Sequence, residues 1–191
     1  SDIDDTFLIS HTSSLRKRLY VLFTRNARTR RPFEGVVEHY QLLNKGSRAF
    51  FYVSSSEWNL YDYIAEFIHV QALPEGCLLL NQIKTFSKLF ATGQGKHNGK
   101  FTRIVRLLEA YPDQKFVLLG DDSQKDPEIY ASLVQHFPNR IFCVYIRRLA
   151  IKEKALVLQK KEFIEAAGVG FCYFYHSADA IQHSQKTGLI K

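Results

Sequence analysis

Cysteine is scarce in this 191-residue chain, and its three cysteines lie far apart. Cys77, Cys143 and Cys172 have neither the paired spacing of a zinc site nor the even number of a disulfide framework. The pattern argues against both classes of protein and is typical of a reducing compartment, so we expect a cytoplasmic location.

Long apolar segments and nucleotide-binding glycine motifs are missing as well. No apolar run approaches the roughly 20 residues that cross a bilayer, and no signal-peptide pattern is present. Gly93, Gly95 and Gly99 lack the spacing of a dinucleotide-binding loop, which argues against that function. The chain begins so abruptly that we expect it to be part of a longer protein.

Apolar side chains and positive charge are what the chain has in quantity. Hydrophobic residues make up 46% of the sequence and aromatic residues 14%, enough for the core of one domain over residues 1–191. The net charge of +7 favours anionic partners such as phosphate esters, nucleic acid or acidic lipid surfaces. The basic segment Arg16–Arg31 is either a solvated helix face or a patch that meets such a partner.

Short apolar runs alternate with segments of helical periodicity. This alternation predicts an α/β fold in which a mostly parallel sheet is covered by helices on both faces. Ligands of such folds bind beyond the carboxyl ends of the strands. The predicted strands are residues 49–53, 78–80, 115–119, 141–146 and 171–174, and the predicted helices include residues 13–24, 34–45, 58–68, 100–110, 159–167 and 178–185.

Polar clusters follow several of these strands. Ser54–Ser56 and Gly120–Asp126 each come directly after an apolar run, and Asp2 and Asp4 would do so if a strand preceded residue 1. Because parallel strands end at one sheet edge, we expect the clusters to meet there. Lys100, at the predicted start of a helix beyond a glycine-rich loop, would add a positive charge.

Each cluster also has an ordinary structural explanation. Asp2 and Asp4 are compatible with a solvated acidic terminus, the serines with a helix cap, the acidic loop with a turn and Lys100 with a surface position. Together they match the needs of phosphoryl transfer. These are a carboxylate nucleophile, a second carboxylate as acid, a hydroxyl and an ammonium for the phosphoryl oxygens, and further carboxylates for Mg²⁺.

The arrangement resembles that of haloacid dehalogenase-like (HAD) phosphatases. The run Asp2–Thr6 is similar to their first motif, and Ser54 and Lys100 stand where the second and third motifs place a hydroxyl and a lysine. Asp121 and Asp126 stand at the acidic pair of the fourth motif. The resemblance implies a Rossmann-like three-layer α/β fold with a minimal cap.

Five further runs, residues 52–56, 58–61, 126–130, 137–140 and 145–147, carry a narrower resemblance. It is to the phosphatidate phosphatase family first described in yeast actin patches, with its bacterial relatives. It implies hydrolysis of phosphatidate to diacylglycerol and phosphate, with a phosphorylated lipid as partner, peripheral contact with an acidic membrane surface, and nucleic acid as a disfavoured partner. Two alternatives stay open. One is a HAD phosphatase acting on another bulky phosphoester, such as a nucleic acid end or a phosphoprotein, and the other is a non-catalytic module that binds acidic lipids or nucleic acid.

The resemblance also implies a role for each candidate residue. Asp2 would attack phosphorus and Asp4 would serve as general acid and base, while Ser54 and Lys100 would bind phosphoryl oxygens. Mg²⁺ would be the cofactor. Its ligands would be Asp2, the backbone carbonyl of Asp4, Asp121 and Asp126.

The sequence departs from the family at several places. Glu57, Asp122 and Gly99 stand where the family usually has proline, serine and histidine. The two extra acids would either repel a phosphate or recruit a metal. No apolar strand precedes Ser1, so we expect Asp2 to lie on the loose end of a sheet whose first central strand is truncated.

Overall fold

The computed structural model describes residues 1–3, 32–45, 48–81, 95–123 and 125–191, and the side chains of residues 55, 57 and 95–98 lie outside that description. Five strands and six helices lie in the described residues. The strands are β1 (Phe50–Glu57), β2 (Gly76–Asn81), β3 (Phe116–Asp121), β4 (Ile141–Arg147) and β5 (Gly170–Phe174). The helices are α1 (Val36–Asn44), α2 (Tyr61–Val70), α3 (Gly95–Ala110), α4 (Asp126–His136), α5 (Ala155–Ala166) and α6 (Ser177–Lys186).

All described strand pairs are parallel. β1 pairs with β2, and β3, β4 and β5 pair in that order. Ser1–Ile3 lies between the two groups, because the Ser1 nitrogen donates to Phe51 O at 2.8 Å, Val53 N donates to Ser1 O at 2.8 Å, and Asp2 N donates to Leu119 O at 2.8 Å. The expectation that Asp2 lies on a loose end is therefore wrong, since main-chain hydrogen bonds to both neighbours fix its backbone.

Helices cover both faces of the strands. Successive strand residues alternate between two cores, as Leu119 and Tyr145 pack on one side and Leu118 and Val144 on the other. The first core contains buried residues of α1, α2 and α6, and the second contains buried residues of α3, α4 and α5. The predicted α/β fold with a parallel, doubly covered sheet is confirmed.

Two predicted boundaries are wrong. Ser54–Ser56 were compatible with a helix cap, but they continue β1, with a register shift between Val53 and Glu57. Ser54 Oγ accepts the Ser56 N–H at 2.9 Å, which satisfies a main-chain donor at the irregular point. The glycine-rich run before Lys100 was predicted as a loop, yet α3 begins at Gly95. The predicted helix over residues 13–24 lies outside the described residues.

A buried polar network joins α1 to α6 and β4. His39, only 1% exposed, makes a 2.8 Å hydrogen bond through Nε2 with Ser184 Oγ. Ser184 Oγ also lies 2.8 Å from the Tyr145 hydroxyl, which in turn lies 3.1 Å from His183 Nδ1. Burial, reinforced by the nearby charge of Arg147, lowers the pKa of His39 to about 4. His39 therefore stays neutral in the folded protein at pH values where an exposed histidine is charged.

We expect His39 to make the folded state sensitive to mild acid. Its pKa falls from 6.5 to about 4 on folding, so the unfolded chain binds more protons between these values and stability falls as pH drops through them. Between pH 7.5 and 5 the loss should be about 2 kcal/mol. Urea unfolding of the parent and of His39→Gln at both pH values measures it. If the two proteins lose stability equally on acidification, His39 is not the responsible group.

Candidate active site

Four charged side chains from separate elements meet at the carboxyl edge of the sheet. Asp2 extends from the segment between β1 and β3, Asp121 ends β3, Asp126 begins α4, and Lys100 lies on α3. One carboxylate oxygen from each aspartate lies within 4.8 Å of the others. Lys100 Nζ is 2.9 Å from Asp2 Oδ1 and forms a second ion pair with Asp126 Oδ1. We call these four residues the carboxylate–lysine cluster.

The cluster is almost completely buried, and burial controls its protonation. Burial raises the pKa of Asp2 to about 6, although the positive charge of Lys100 acts in the opposite direction. Burial also raises the pKa of Asp121 to about 8, and the negative charges of Asp2 and Asp126 raise it further. Burial alone would lower the pKa of Lys100, but the charges of Asp126 and Asp2 outweigh it and raise that pKa above its ordinary value. The lysine therefore remains charged at neutral pH.

The turn from β3 into α4 is shaped around Asp126. A Cβ added at Gly120 would collide with Asp126 Oδ2 and would lie 2.8 Å from the Tyr130 ring. Asp126 Oδ2 also accepts the Asp121 N–H at 3.3 Å, and Ser123 N donates to Asp121 Oδ1 at 2.5 Å. Gly120 is thus required for the close approach of the two acids.

Arg103, which lies on α3 with Lys100, contacts Ser54 within β1 and Asn81 at the end of β2. Ser54 is fully buried, and its hydroxyl is engaged locally by Ser56 N. Arg103, one helical turn beyond Lys100, donates to Ser54 O at 2.9 Å and to Asn81 Oδ1 at 2.6 Å. Arg103 was not among the predicted site residues, although its i, i+3 spacing from Lys100 places both cations on one helix face. Asp4 lies outside the described residues.

Comparison with known proteins identifies the family. A family model for the catalytic domain of the phosphatidate phosphatase APP1 matches residues 1–148. The chain belongs to this family. Every member of the carboxylate–lysine cluster lies inside the matched range, and the family predicted from the sequence is confirmed.

Two fungal relatives of the family align with the chain. The phosphatidate phosphatase APP1 of Saccharomyces cerevisiae is 30% identical over 150 residues, which cover 77% of this chain and 25% of the relative. An uncharacterized protein of Schizosaccharomyces pombe is 25% identical over 152 residues, covering 77% of this chain and 24% of the relative. The chain therefore spans about a quarter of the length of these relatives. No solved structure matches it.

The carboxylate of Asp122, an expected departure from the family, is held by residues outside the carboxylate–lysine cluster. Asp122 Oδ2 accepts the Tyr173 hydroxyl at 2.8 Å. Asp122 Oδ1 lies 3.2 Å from Lys154 Nζ and accepts the Leu149 N–H at 3.2 Å. The charge of Asp122 is therefore compensated by Lys154, and its carboxylate fastens the loop after β4.

Gly99 and Glu57 are the other two positions at which the sequence was expected to depart from the family. A Cβ added at Gly99 would lie 3.3 Å from Asn81 Oδ1 and 3.4 Å from Arg103 Nη1. The space beside Gly99 is therefore lined by Asn81 and Arg103, which also contact β1. The side chain of Glu57 lies outside the described residues.

The cluster fits a divalent cation. Its three carboxylates outnumber its one ammonium, so it carries an uncompensated negative charge when the acids are ionised. Asp2 Oδ2 is buried and accepts no hydrogen bond from the described residues. A buried oxygen without a hydrogen-bond partner destabilises the folded state. The three atoms that could coordinate a metal here are carboxylate oxygens, the ligands that Mg²⁺ prefers. The residues present therefore suit a hard cation.

A large cavity elsewhere in the molecule is not this site. It has a volume of about 680 Å³ and lies between β1 and β3, where Phe51, Val53, Ile104 and Leu118 are among its mainly apolar lining. No member of the carboxylate–lysine cluster lines it. Among the described residues its charged lining side chains are Arg48 and Lys115, with no carboxylate that could act as a nucleophile or hold a cation.

We expect Lys100→Met to destabilise the protein strongly. The change removes the positive charge from two buried carboxylates, and breaking such a pair costs roughly 3–5 kcal/mol. Lys161→Met is the matched control, because Lys161 and Glu165 form a longer, partly exposed pair at 3.9 Å that should contribute about 0.5 kcal/mol or less. Urea unfolding in EDTA measures both variants, and equal losses would contradict the assigned burial of the Lys100 pair.

Proposed function

We propose that the chain is a Mg²⁺-dependent phosphatase that hydrolyses phosphatidate to diacylglycerol and phosphate. The observation that carries the proposal is the carboxylate–lysine cluster at the carboxyl edge of the sheet, in a chain of the phosphatidate phosphatase catalytic-domain family. Carboxylates beside a cation are the groups that covalent phosphoryl transfer requires.

Asp2 is the proposed nucleophile. Its backbone is held between β1 and β3, and its Oδ2 accepts no hydrogen bond within the described residues. An attack by this oxygen on phosphorus forms an aspartyl-phosphate and breaks the bond between phosphorus and the diacylglycerol oxygen. Main-chain anchoring keeps the attacking atom in position, which lowers the entropic part of the barrier.

Lys100 and Asp4 are proposed to handle charge and protons around that step. Lys100 Nζ lies 2.9 Å from Asp2 Oδ1, so it is within reach of a phosphoryl group attached to Asp2. Its positive charge stabilises the charge of the transition state. Asp4 gives its proton to the leaving oxygen and then takes one from the water that hydrolyses the aspartyl-phosphate. The hydroxyl of Ser54 is proposed to donate a hydrogen bond to a phosphoryl oxygen.

The proposed cofactor site uses Asp2, Asp121 and Asp126, with the backbone carbonyl of Asp4 as a further ligand. Bound Mg²⁺ would neutralise phosphoryl oxygens, so that a carboxylate can approach an anionic substrate. Burial raises the pKa of Asp121 and of Asp2. A bound cation would compensate the charge of their ionised forms, so ionised Asp121 and Asp2 would in turn favour binding of the cation. Asp122 is excluded from the ligand set by its contacts with Lys154 and Tyr173.

A phosphatidate substrate lies in a bilayer, so the proposed enzyme works at a membrane surface from the cytoplasmic side. None of the described helices combines the length and hydropathy that crossing a bilayer requires. The net charge of +7 suits an acidic surface. The basic segment Arg16–Arg31, expected to be either a solvated helix face or a patch that meets an anionic partner, lies outside the described residues.

A substrate panel tests the reaction. We expect phosphate release from phosphatidate in Mg²⁺, little release in EDTA, and slower release from a nucleic acid end or a phosphoserine peptide. Asp2→Asn should lower phosphatidate turnover by several orders of magnitude, because it removes the attacking oxygen. Undiminished turnover by Asp2→Asn would exclude the nucleophile, and a preference for another phosphoester would exclude the substrate.

A pair of neighbouring variants tests the cofactor site. Asp121→Asn removes the cost of burying an acid whose pKa is raised to about 8, first by burial and then by Asp2 and Asp126, so it should raise the melting temperature in EDTA by about 2–4 °C for each kcal/mol gained, and abolish the further rise on adding Mg²⁺. Asp122→Asn is the control, since it should keep the Mg²⁺-dependent rise. Thermal unfolding with and without Mg²⁺ measures both. A retained rise in Asp121→Asn would remove this residue from the ligand set.

A further inference from the structure

The loop after β4 exposes an isoleucine to solvent. Ile151 is 80% exposed, the largest exposed fraction among the bulky apolar side chains of the described residues. A single exposed apolar residue is ordinary on a protein surface. Ile151, however, is followed by Lys152, which is exposed and has no ion pair among the described residues, and the loop also carries Arg148 and Lys154.

Contacts at both ends of this loop hold Ile151 outward. Arg148 forms an ion pair with Glu153 at 3.0 Å and donates a hydrogen bond to Ile151 O. The guanidinium of Arg148 also lies over the rings of Tyr173 and Tyr175, at 5.5 and 6.0 Å. Asp122 fastens the loop through Leu149 N and Lys154, as described above. Ile151 is therefore presented to solvent at the tip of a loop that these contacts hold in place.

The loop lies at the same edge of the sheet as the carboxylate–lysine cluster. Arg147, where β4 ends, is the register partner of Asp121, a member of the cluster. β1 flanks the cluster on the other side, and directly beyond its end Trp58 and Tyr61 stack with ring centroids 5.2 Å apart and an interplanar angle of 10°. These rings are 48% and 39% exposed. Exposed apolar groups thus stand on both sides of the cluster.

We propose that this edge is a membrane-docking face, and that its partner is the surface of an anionic phospholipid bilayer. Ile151 enters the acyl boundary, Trp58 and Tyr61 lie at headgroup depth, and Lys152 meets acidic headgroups. Charge complementarity favours a bilayer over an apolar protein partner, because Lys152, directly beside the apolar tip, is exposed and has no ion pair among the described residues. This inference rests on the proposed function, because docking by this face would place the carboxylate–lysine cluster opposite a lipid phosphomonoester.

Sedimentation with sucrose-loaded vesicles tests the face without involving turnover. The parent should sediment with phosphatidylcholine vesicles that contain phosphatidylserine, and much less with phosphatidylcholine alone. Ile151→Ser and Lys152→Glu should each weaken binding about tenfold. Val70→Ser and Lys115→Glu are matched controls, because α2 ends at Val70 and Lys115 precedes β3, both at the opposite edge. Equal binding by Ile151→Ser and Val70→Ser would overturn the proposal.

Fluorescence reports which face touches the bilayer, since Trp58 is the single tryptophan of the chain. Its emission should shift to the blue on adding anionic vesicles, and lipids brominated on the acyl chain should quench it. Sedimentation of the parent with unchanged Trp58 emission would show that another face binds, and would overturn the proposal.

Hydrolysis assays separate a failure of docking from a failure of the proposed function. Ile151→Ser should hydrolyse phosphatidate in vesicles about tenfold more slowly than the parent, and monomeric dioctanoyl phosphatidate at the same rate. Unaltered vesicle hydrolysis by Ile151→Ser in an active protein would overturn docking and leave the function intact. A parent that binds vesicles through Trp58 and Ile151 but hydrolyses neither form would support docking and refute the function.

Discussion

The double ion pair of Lys100 with Asp2 and Asp126 is the interaction on which the site depends. It joins α3, the start of α4 and the segment between β1 and β3 at one buried point. Without the lysine, three carboxylates would face each other with no counter-charge among the four cluster residues. Such a site is electrostatically strained, because folding brings groups of like charge together away from water. A bound divalent cation would lower this repulsion between like charges.

Sequence patterns predicted the architecture well because periodicity and burial are local signals. The alternation of apolar runs with helices indicated parallel strands covered on both faces, and Leu118 and Leu119 do point into different cores. The residues of the cluster were also predicted, because each follows a strand or lies on a helix that the pattern placed at one edge. Motif similarity supplied what position alone left open, namely which acids belong together.

Other features depended on tertiary context that no local pattern contains. The serines after Val53 carry a cap signal, yet pairing with β2 extends them as strand. The extra acid at position 122 was expected either to repel a phosphate or to recruit a metal, but Lys154 and Tyr173, distant in sequence, contact its carboxylate. Nothing in the run of residues around Asp122 shows those partners. The secure placement of Asp2 was missed for a similar reason, because its backbone partners come from strands far along the chain.

The anchoring of Ser1–Ile3 by main-chain hydrogen bonds has a consequence for how the enzyme family can change over time. Main-chain bonding is indifferent to side-chain identity, so the position of the second residue does not depend on the carboxylate it carries. Chemistry at this point can be lost or altered by one codon while the architecture survives. A chain without the Asp2 carboxylate would therefore keep the backbone path of this segment while losing the chemistry that this side chain supports.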